Sequence, residues 1–460
     1  MWKGIVHSMH LWEHLPVDDK TNSNQRTQVS NIEDLPESFC LAPFVHRYKA
    51  TNGRRRVCCQ SREYLSDPKK RKETELLSAE DHWNSDLLKS FRKRMLNGEK
   101  LPECSSCHSA HKMTNSYKNF FNEQFSDVLE EVLKATTLEG NSEFTPISYD
   151  YRFSNLCNLS CRMCGPIFSS KWEREISENF ESESEVPEGF EWGFSKLSQV
   201  NYSSDVEELR ENALNGNVRD IYWVGGEPLL WPEHWSIMEE LVTSGRSKEI
   251  DVRYNTNLTI LKNKNLDLVE DLLPNFKSFT IGASQDGYGE VAEYIRTGLD
   301  FEEWETNLRK LCTLRTADSF DVYIDFTLTL PGIFSLKSLI ELSNELQVPM
   351  MAKPVFTESA NELLSLKALP RELLNELVSE TVENLRGIAV ESRNLSLVDL
   401  LESFKDEPNY EEMYPESYLE QSKIGKAWLK KLENLRSSKT SMDAILSKNK
   451  KVFQWWKSIN

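Results

Sequence analysis

Cys157, Cys161 and Cys164 lie close together in the run Asn155-Leu156-Cys157-Asn158-Leu159-Ser160-Cys161-Arg162-Met163-Cys164-Gly165-Pro166. Thiolates are soft ligands suited to an iron-sulfur cluster, and a four-iron cluster ordinarily takes four of them. Three leave one iron open to a small molecule, whereas a fourth makes the centre a plain electron carrier. Taken alone, the same cysteines also suit a zinc site or a simple thiol loop. Further along, Asp220-Ile221-Tyr222-Trp223-Val224-Gly225-Gly226-Glu227-Pro228 reads as a strand ending in two glycines and a carboxylate. Glycines allow a ligand to approach the backbone, and Glu227 can pair there with an ammonium group. In isolation, Gly-Gly-Glu is also an ordinary turn. A second set of thiols, Cys40, Cys58, Cys104 and Cys107, is large enough to close a tetrahedral site, and a zinc ribbon is one reading of it.

The spacing Cys-x3-Cys-x2-Cys directly after a strand, followed by Gly-Gly-Glu after the next strand, resembles the signature of the radical S-adenosylmethionine superfamily. The resemblance implies that the open iron chelates the amino and carboxylate groups of S-adenosylmethionine. An electron from the [4Fe-4S] cluster then yields a 5′-deoxyadenosyl radical, which takes a hydrogen atom from substrate. It also implies that Gly225, Gly226 and Glu227 receive the amino group. Asn257, Ser284 and Asp286, at the next two strand ends, offer groups to a ribose and a methionyl carboxylate. Met163 stands before the last cysteine, where the family often has an aromatic residue near the adenine. Arg296-Thr297-Gly298 matches an Arg-x-Gly common in the peptide-modifying branch.

The stretch Cys40-x12-Gly53-x4-Cys58, the segment Trp83-Asn84-Ser85 and the pair Cys104-x2-Cys107 are similar to the SPASM/twitch module, which holds an auxiliary iron-sulfur cluster. Here the module precedes the barrel, whereas in familiar relatives it follows. Cys58 is preferred over its neighbour Cys59 because its spacing from Gly53 matches. Cys59 and Cys312 are then left over, the latter as an apolar helix thiol.

The elements that must position these residues follow from hydrophobic periodicity. After Pro146, short β-branched or aromatic runs alternate with amphipathic stretches, the pattern of βα units and a parallel sheet. Strands are expected at Ile147–Phe153, Asp220–Val224, Ile250–Tyr254, Ser278–Ala283, Val322–Thr327 and Met350–Val355. Helices are expected at Trp235–Ser244, Leu261–Leu273, Phe301–Arg315 and Leu336–Leu346. On the first strand, Tyr149, Tyr151 and Arg152 are expected to face the barrel interior. The expected fold is α/β: a partial (β/α)6 barrel, an N-terminal cysteine-rich iron-sulfur module and a helical C-terminal extension. The expected divisions are an irregular arm at 1–35, the cysteine-rich module at 36–145, the barrel at 146–357 and the extension at 358–460. In the extension, Trp428, Trp455 and Trp456 are candidate anchors, and docking on the chain's own body is favoured over an exposed patch. Glu181–Glu188 reads as an exposed acidic excursion.

Composition bounds the rest. The 460 residues include 39% hydrophobic and 28% charged, a globular balance. A formal charge of −18 argues against nucleic-acid or anionic-membrane partners. Arg54-Arg55-Arg56 and Lys69-Lys70-Arg71-Lys72 read as solvated loops, and His7, His10 and His14 as surface histidines rather than metal ligands. Without an apolar run of membrane-spanning length or a signal-peptide pattern, the expected location is cytoplasmic, where clustered cysteines serve metal or catalysis rather than disulfides. The expected partners are a peptide, protein or small-molecule substrate and an electron donor such as flavodoxin or ferredoxin. Modification of a sugar or nucleotide is the rival enzyme reading. A non-catalytic iron-sulfur or zinc interaction protein is the rival outside enzymes, and intact retention of the triad and Glu227 speaks against it.

Overall fold

The computed structural model describes residues 31–62, 77–108, 117–197, 202–316, 319–355, 359–390 and 394–459. His7, His10, His14 and the Lys69–Lys72 run lie outside them. The strands in chain order are β1 (His46–Lys49), β2 (Arg55–Arg56), β3 (Ser148–Tyr151), β4 (Ser160–Cys161), β5 (Asp220–Trp223), β6 (Asp251–Thr256), β7 (Lys262–Asn263), β8 (Leu266–Asp267), β9 (Ser278–Gln285), β10 (Arg296–Thr297), β11 (Phe320–Leu328) and β12 (Met350–Pro354). Eight of them form one sheet in the order β12-β11-β9-β6-β5-β3-β1-β2. Every neighbouring pair is parallel except β1 with β2. The six strands expected from the apolar runs are β3, β5, β6, β9, β11 and β12, joined as a partial barrel by helices that include Pro232–Ser244, Phe301–Cys312 and Leu336–Leu346.

Alternation explains the two faces of this sheet, because successive strand residues point to opposite sides. Tyr149, Tyr151, Ile221, Trp223, Val252, Tyr254, Ile281 and Ile324 belong to the main hydrophobic core under the helices. The intervening positions, Asp150, Arg152, Tyr222, Arg253, Asn255, Tyr323 and Asp325, put polar groups on the other face. Tyr149 and Tyr151 therefore turn away from the barrel interior, contrary to the expectation. Tyr151 Oη donates to Glu208 on the outer helix Ser203–Leu214 at 2.7 Å. Arg152, of opposite parity, faces inward with Asp150.

Two features were not read from periodicity. The segment Leu261–Leu273 is not one helix. It opens with the small β7–β8 ribbon, whose turn holds Lys264 at φ 53°, and Asp267 then caps a single wide turn at Leu268–Leu272. Inside the cysteine-bearing region, β1 adds in parallel to β3, extending the sheet beyond six strands. A line of buried polar groups crosses this junction. His46 Nδ1 lies 2.8 Å from Ser148 Oγ, which donates to Asp220 at 2.6 Å, and Arg253 grips both Asp220 oxygens at 2.7 and 2.8 Å. Burial pushes the His46 imidazole down to about 3, so the ring is neutral here.

The C-terminal helices pack on the barrel. Leu374, Val378, Leu401 and Trp456 share its main core. Trp428 stacks on Trp172 at 6.2 Å between ring centroids, beside Phe180 and Phe190. Trp428 and Trp456 are thus internal anchors, while Trp455 is half-buried. No helix among the described residues is long and apolar enough to cross a membrane.

Asp205 ties the N-terminal strands to the barrel's outer helix by accepting from both Lys49 and Arg55, and the carboxylate is almost wholly buried. Removing one partner of a buried ion pair strands the other charge. Asp205→Ala is expected to lower unfolding free energy by about 3–5 kcal/mol in urea titrations, with the cysteine-bearing region and barrel destabilised together.

Candidate active site

The cysteine loop leaves the C-terminal end of β3, the end at which barrels of parallel strands place their chemistry. Several local contacts set its course. Asn155 donates to the Pro166 carbonyl and to Glu173, each at 2.8 Å, closing the loop on itself. Ser169 caps the helix Ser170–Asn179, and Ser170 Oγ accepts from the Cys157 amide at 3.2 Å. β4, which contains Cys161, pairs with β10 so that Cys161 lies opposite Arg296. Arg162 points away from the thiols and lies 3.8 Å over the Tyr294 ring. Cys157, Cys161 and Cys164 come together: the Cys164 thiol donates to Cys161, which holds the former's pKa up and the latter's down, and burial pushes Cys157 up to about 12.

Gly225 and Gly226 form the cradle against which this loop sits. Both have left-handed backbone, at φ 98° and 54°. A Cβ on Gly226 would fall 2.5 Å from the Leu156 carbonyl oxygen, and one on Gly225 would fall 2.7 Å from the Arg152 side chain. The same close approach lets the Glu227 amide donate to Leu156 O at 2.7 Å. The Glu227 carboxylate accepts from Leu229 N at 3.1 Å, Thr256 Oγ1 at 2.7 Å and Asn257 N at 2.6 Å. Burial nevertheless pushes its carboxyl up to about 7. It is a buried acid with donors on both oxygens and, among the described residues, no paired cation.

The remaining candidates fall around the same mouth. Asn257 Nδ2 reaches Asn158 at 2.9 Å and lies 3.8 Å from Cys157 Sγ. Asp286 and Arg296 form an ion pair at 2.5 Å, and the charges of Cys161 and Cys164 act with Asp286 to hold the Arg296 pKa high against its burial. Ser284 and Met163 are half-buried at the ends of β9 and of the loop. Gln285 Nε2 is buried without a hydrogen-bond partner among the described residues, as expected of an atom that completes its bonding with a ligand. The triad, the cradle, Glu227, Asn257, Asp286 and Arg296 are therefore one site.

Sequence reasoning missed the inner row that extends it. Tyr222 donates to Asn255 at 2.6 Å, Asn255 donates to Asp325, and Lys353 Nζ holds Asp325 at 2.7 and 2.6 Å. Polar residues at every second position of otherwise apolar strands were the available signal.

Cys40, Cys58, Cys104 and Cys107 line a single cavity with Ser38 and Lys118. Cys40 precedes the turn into β1, Cys58 follows β2, Cys104 directly precedes the turn Ser105–His108 and Cys107 lies within it. Burial raises Cys40 and Cys58 well above an ordinary thiol and Cys104 to about 12. Among the described residues, no three His, Cys, Asp or Glu side chains converge tightly enough to hold one metal ion, which is as true of Cys157, Cys161 and Cys164 as of these four thiols. Cys59 is outside this set. It is half-buried beside Asp150 and Arg152, and Tyr117 donates to it. Cys312 is a half-buried helix thiol.

The model of the radical SAM superfamily matches residues 151–333. Residues 151–333 are thus a radical SAM domain. Similar solved structures include native anSMEcpe with bound AdoMet, 20% identical, covering 50% of this chain and 57% of that one, with a TM-score of 0.33. SuiB of Streptococcus suis bound to S-adenosylmethionine is 14% identical, covering 65% and 60%, with a TM-score of 0.35. TYW1 with a lysine-pyruvate adduct bound is 17% identical, covering 50% and 70%, with a TM-score of 0.27. The chain thus spans a little over half the length of the first of these. No curated protein matches its sequence.

Glu227→Gln keeps the shape of the side chain but removes its charge. It is expected to weaken S-adenosylmethionine binding at least about tenfold in equilibrium dialysis, with an unchanged circular dichroism spectrum. Gly226→Ala forces the cysteine loop off its seat and is expected to lower iron uptake on anaerobic reconstitution, read from iron per chain.

Proposed function

We propose that this protein cleaves S-adenosylmethionine reductively and takes a hydrogen atom from a peptide or protein substrate. The observation that carries the reading is the convergence of three thiols, a glycine cradle and a buried uncompensated carboxylate at one strand-end mouth. A [4Fe-4S] cluster with one open iron supplies, when bound, the electron that splits the sulfonium of S-adenosylmethionine. In this reading Cys157, Cys161 and Cys164 hold the cluster. Glu227, ionised once an ammonium group neutralises it, fixes the amino end of the cofactor, and the Gly225-Gly226 backbone admits it closely. Asn257 orients that end against the loop, while Ser284 and Asp286 receive the ribose. Arg296, already balanced against Asp286, faces the cofactor's carboxylate, and Met163 lies toward the adenine. The orphaned Gln285 amide supports a ligand at this mouth.

The inner row from Tyr222 to Lys353 continues away from the mouth and supports a chamber for a polar substrate. Residues 36–145 have their own apolar cluster, running from Phe39 to Ile147, which supports reading them as a module beside the barrel at 146–357, with the extension from 358 onward. In that module Cys40, Cys58, Cys104 and Cys107 are the ligands for an auxiliary [4Fe-4S] cluster. The Ser38 hydroxyl, buried and unpartnered at the cavity wall, and the Lys118 ammonium supply a donor and a positive charge toward a dianionic centre. An external one-electron donor of the flavodoxin or ferredoxin type reduces the radical centre.

Anaerobically reconstituted protein is expected to carry about eight irons per chain, falling to about four in a Cys157/Cys161/Cys164→Ala variant. Only the parent should form 5′-deoxyadenosine under reductant. Zinc in place of iron, or intact S-adenosylmethionine beside a fully loaded centre, overturns the enzyme reading.

A further inference from the structure

A groove with a free volume of about 230 Å³ is walled by Glu188, Glu362, Tyr410, Tyr414 and Tyr418. Its walls come from three places that the fold brings together. Glu188 belongs to the acidic excursion, which leans on the cysteine loop: a Cβ on Gly165 would come 3.8 Å from the Gly189 carbonyl oxygen. Glu362 belongs to the turn Ser359–Leu364 beyond β12, held to the end of β11 by the bond from Leu330 N to Leu364 O at 2.7 Å. The tyrosines come from the C-terminal extension. Tyr410 and Tyr414 have ring centroids 6.5 Å apart, and Tyr418 is fixed by donating to the Ala368 carbonyl at 2.7 Å.

The chemistry of the groove is one-sided. Among the described residues no lysine or arginine lines it. The Glu362 carboxyl is partly buried, which pushes its pKa up, and has neither an ionic nor a hydrogen-bonding partner among the described residues. Tyr414 is 48% exposed, so its ring is an open platform. Two carboxylates beside aromatic faces form a receptor for an ammonium or guanidinium group, which gains from both the negative charge and the ring quadrupole. Met413 and Leu419, next in sequence to Tyr414 and Tyr418, are also exposed apolar side chains. The overall charge of −18 adds long-range attraction for a basic segment.

We infer that this groove binds a lysine- or arginine-bearing peptide segment and so holds a basic substrate for the radical site. The inference rests on the proposed radical chemistry only for calling the bound segment substrate. The binding itself is independent of turnover.

The test uses the anaerobically reconstituted full chain and two labelled nine-residue Gly/Ser peptides, one with a central Lys-Lys and one with two norleucines, followed by fluorescence anisotropy. The dilysine peptide is expected to bind at least about tenfold tighter than the norleucine peptide. Glu188→Gln/Glu362→Gln should remove most of that preference and Tyr414→Ala part of it. Glu131→Gln/Glu239→Gln, an equal charge change at exposed sites elsewhere, should alter it less than about twofold. Equal loss in both double variants would reduce the effect to bulk charge and overturn the site, as would the absence of any preference for lysine. Formation of 5′-deoxyadenosine in the same preparation separates the outcomes: binding can fail while the radical centre works, and the reverse.

Discussion

The approach of the Leu156 carbonyl to Gly226 is the contact on which this site depends. It seats the cysteine loop from the end of β3 directly on the end of β5, and any side chain at Gly226 would occupy the carbonyl's place. Because the Glu227 amide closes the contact with a hydrogen bond, the thiols and the carboxylate are fixed relative to each other by backbone rather than by flexible side chains. Asn257 then bridges the two by donating its amide to Glu227 and turning its side chain toward Asn158 and Cys157.

A second constraint is the strict two-sidedness of the sheet. The outer face carries the large aromatic and aliphatic residues that bury the helices, so the inner face is free to hold polar groups, each of which must find a partner. The partners form connected lines: Tyr222, Asn255, Asp325 and Lys353 across the strands β5, β6, β11 and β12, and His46, Ser148, Asp220 and Arg253 across the junction with β1. The latter joins the cysteine-bearing region to the barrel through side chains as well as strand pairing. Arg253 also lies 4.3 Å from the Phe120 ring of that region.

Much of the barrel was legible because its signals are local. Runs of five to seven residues located all six barrel strands to within a few positions, and the helix Leu336–Leu346 matches its periodicity at both ends. Local rules failed where a nearby alternative intervened. Asp267 offered the backbone a cap in the middle of an apparently helical stretch, and Lys264 accepted a left-handed turn. Tyr149 and Tyr151 were assigned to the interior together with Arg152, although positions of opposite parity cannot share a face. β1 escaped notice because His46-Arg47-Tyr48-Lys49 holds no apolar or β-branched run.

The sequence by itself determined the ligand types and their order: three thiols in one short loop, a glycine pair before an acid, and four more cysteines upstream. Spacing within a loop and conformational freedom at glycine are properties of adjacent residues. Only the tertiary structure decided which distant groups meet. It set Arg296 beside Cys161 through the β4–β10 pairing, and gathered Cys40, Cys58, Cys104 and Cys107 around one cavity while turning Cys59 toward Asp150 and Arg152. It also brought the acidic excursion and the C-terminal tyrosines to one groove. Those meetings are fixed by strand register and by packing between segments up to hundreds of residues apart, which no local pattern encodes.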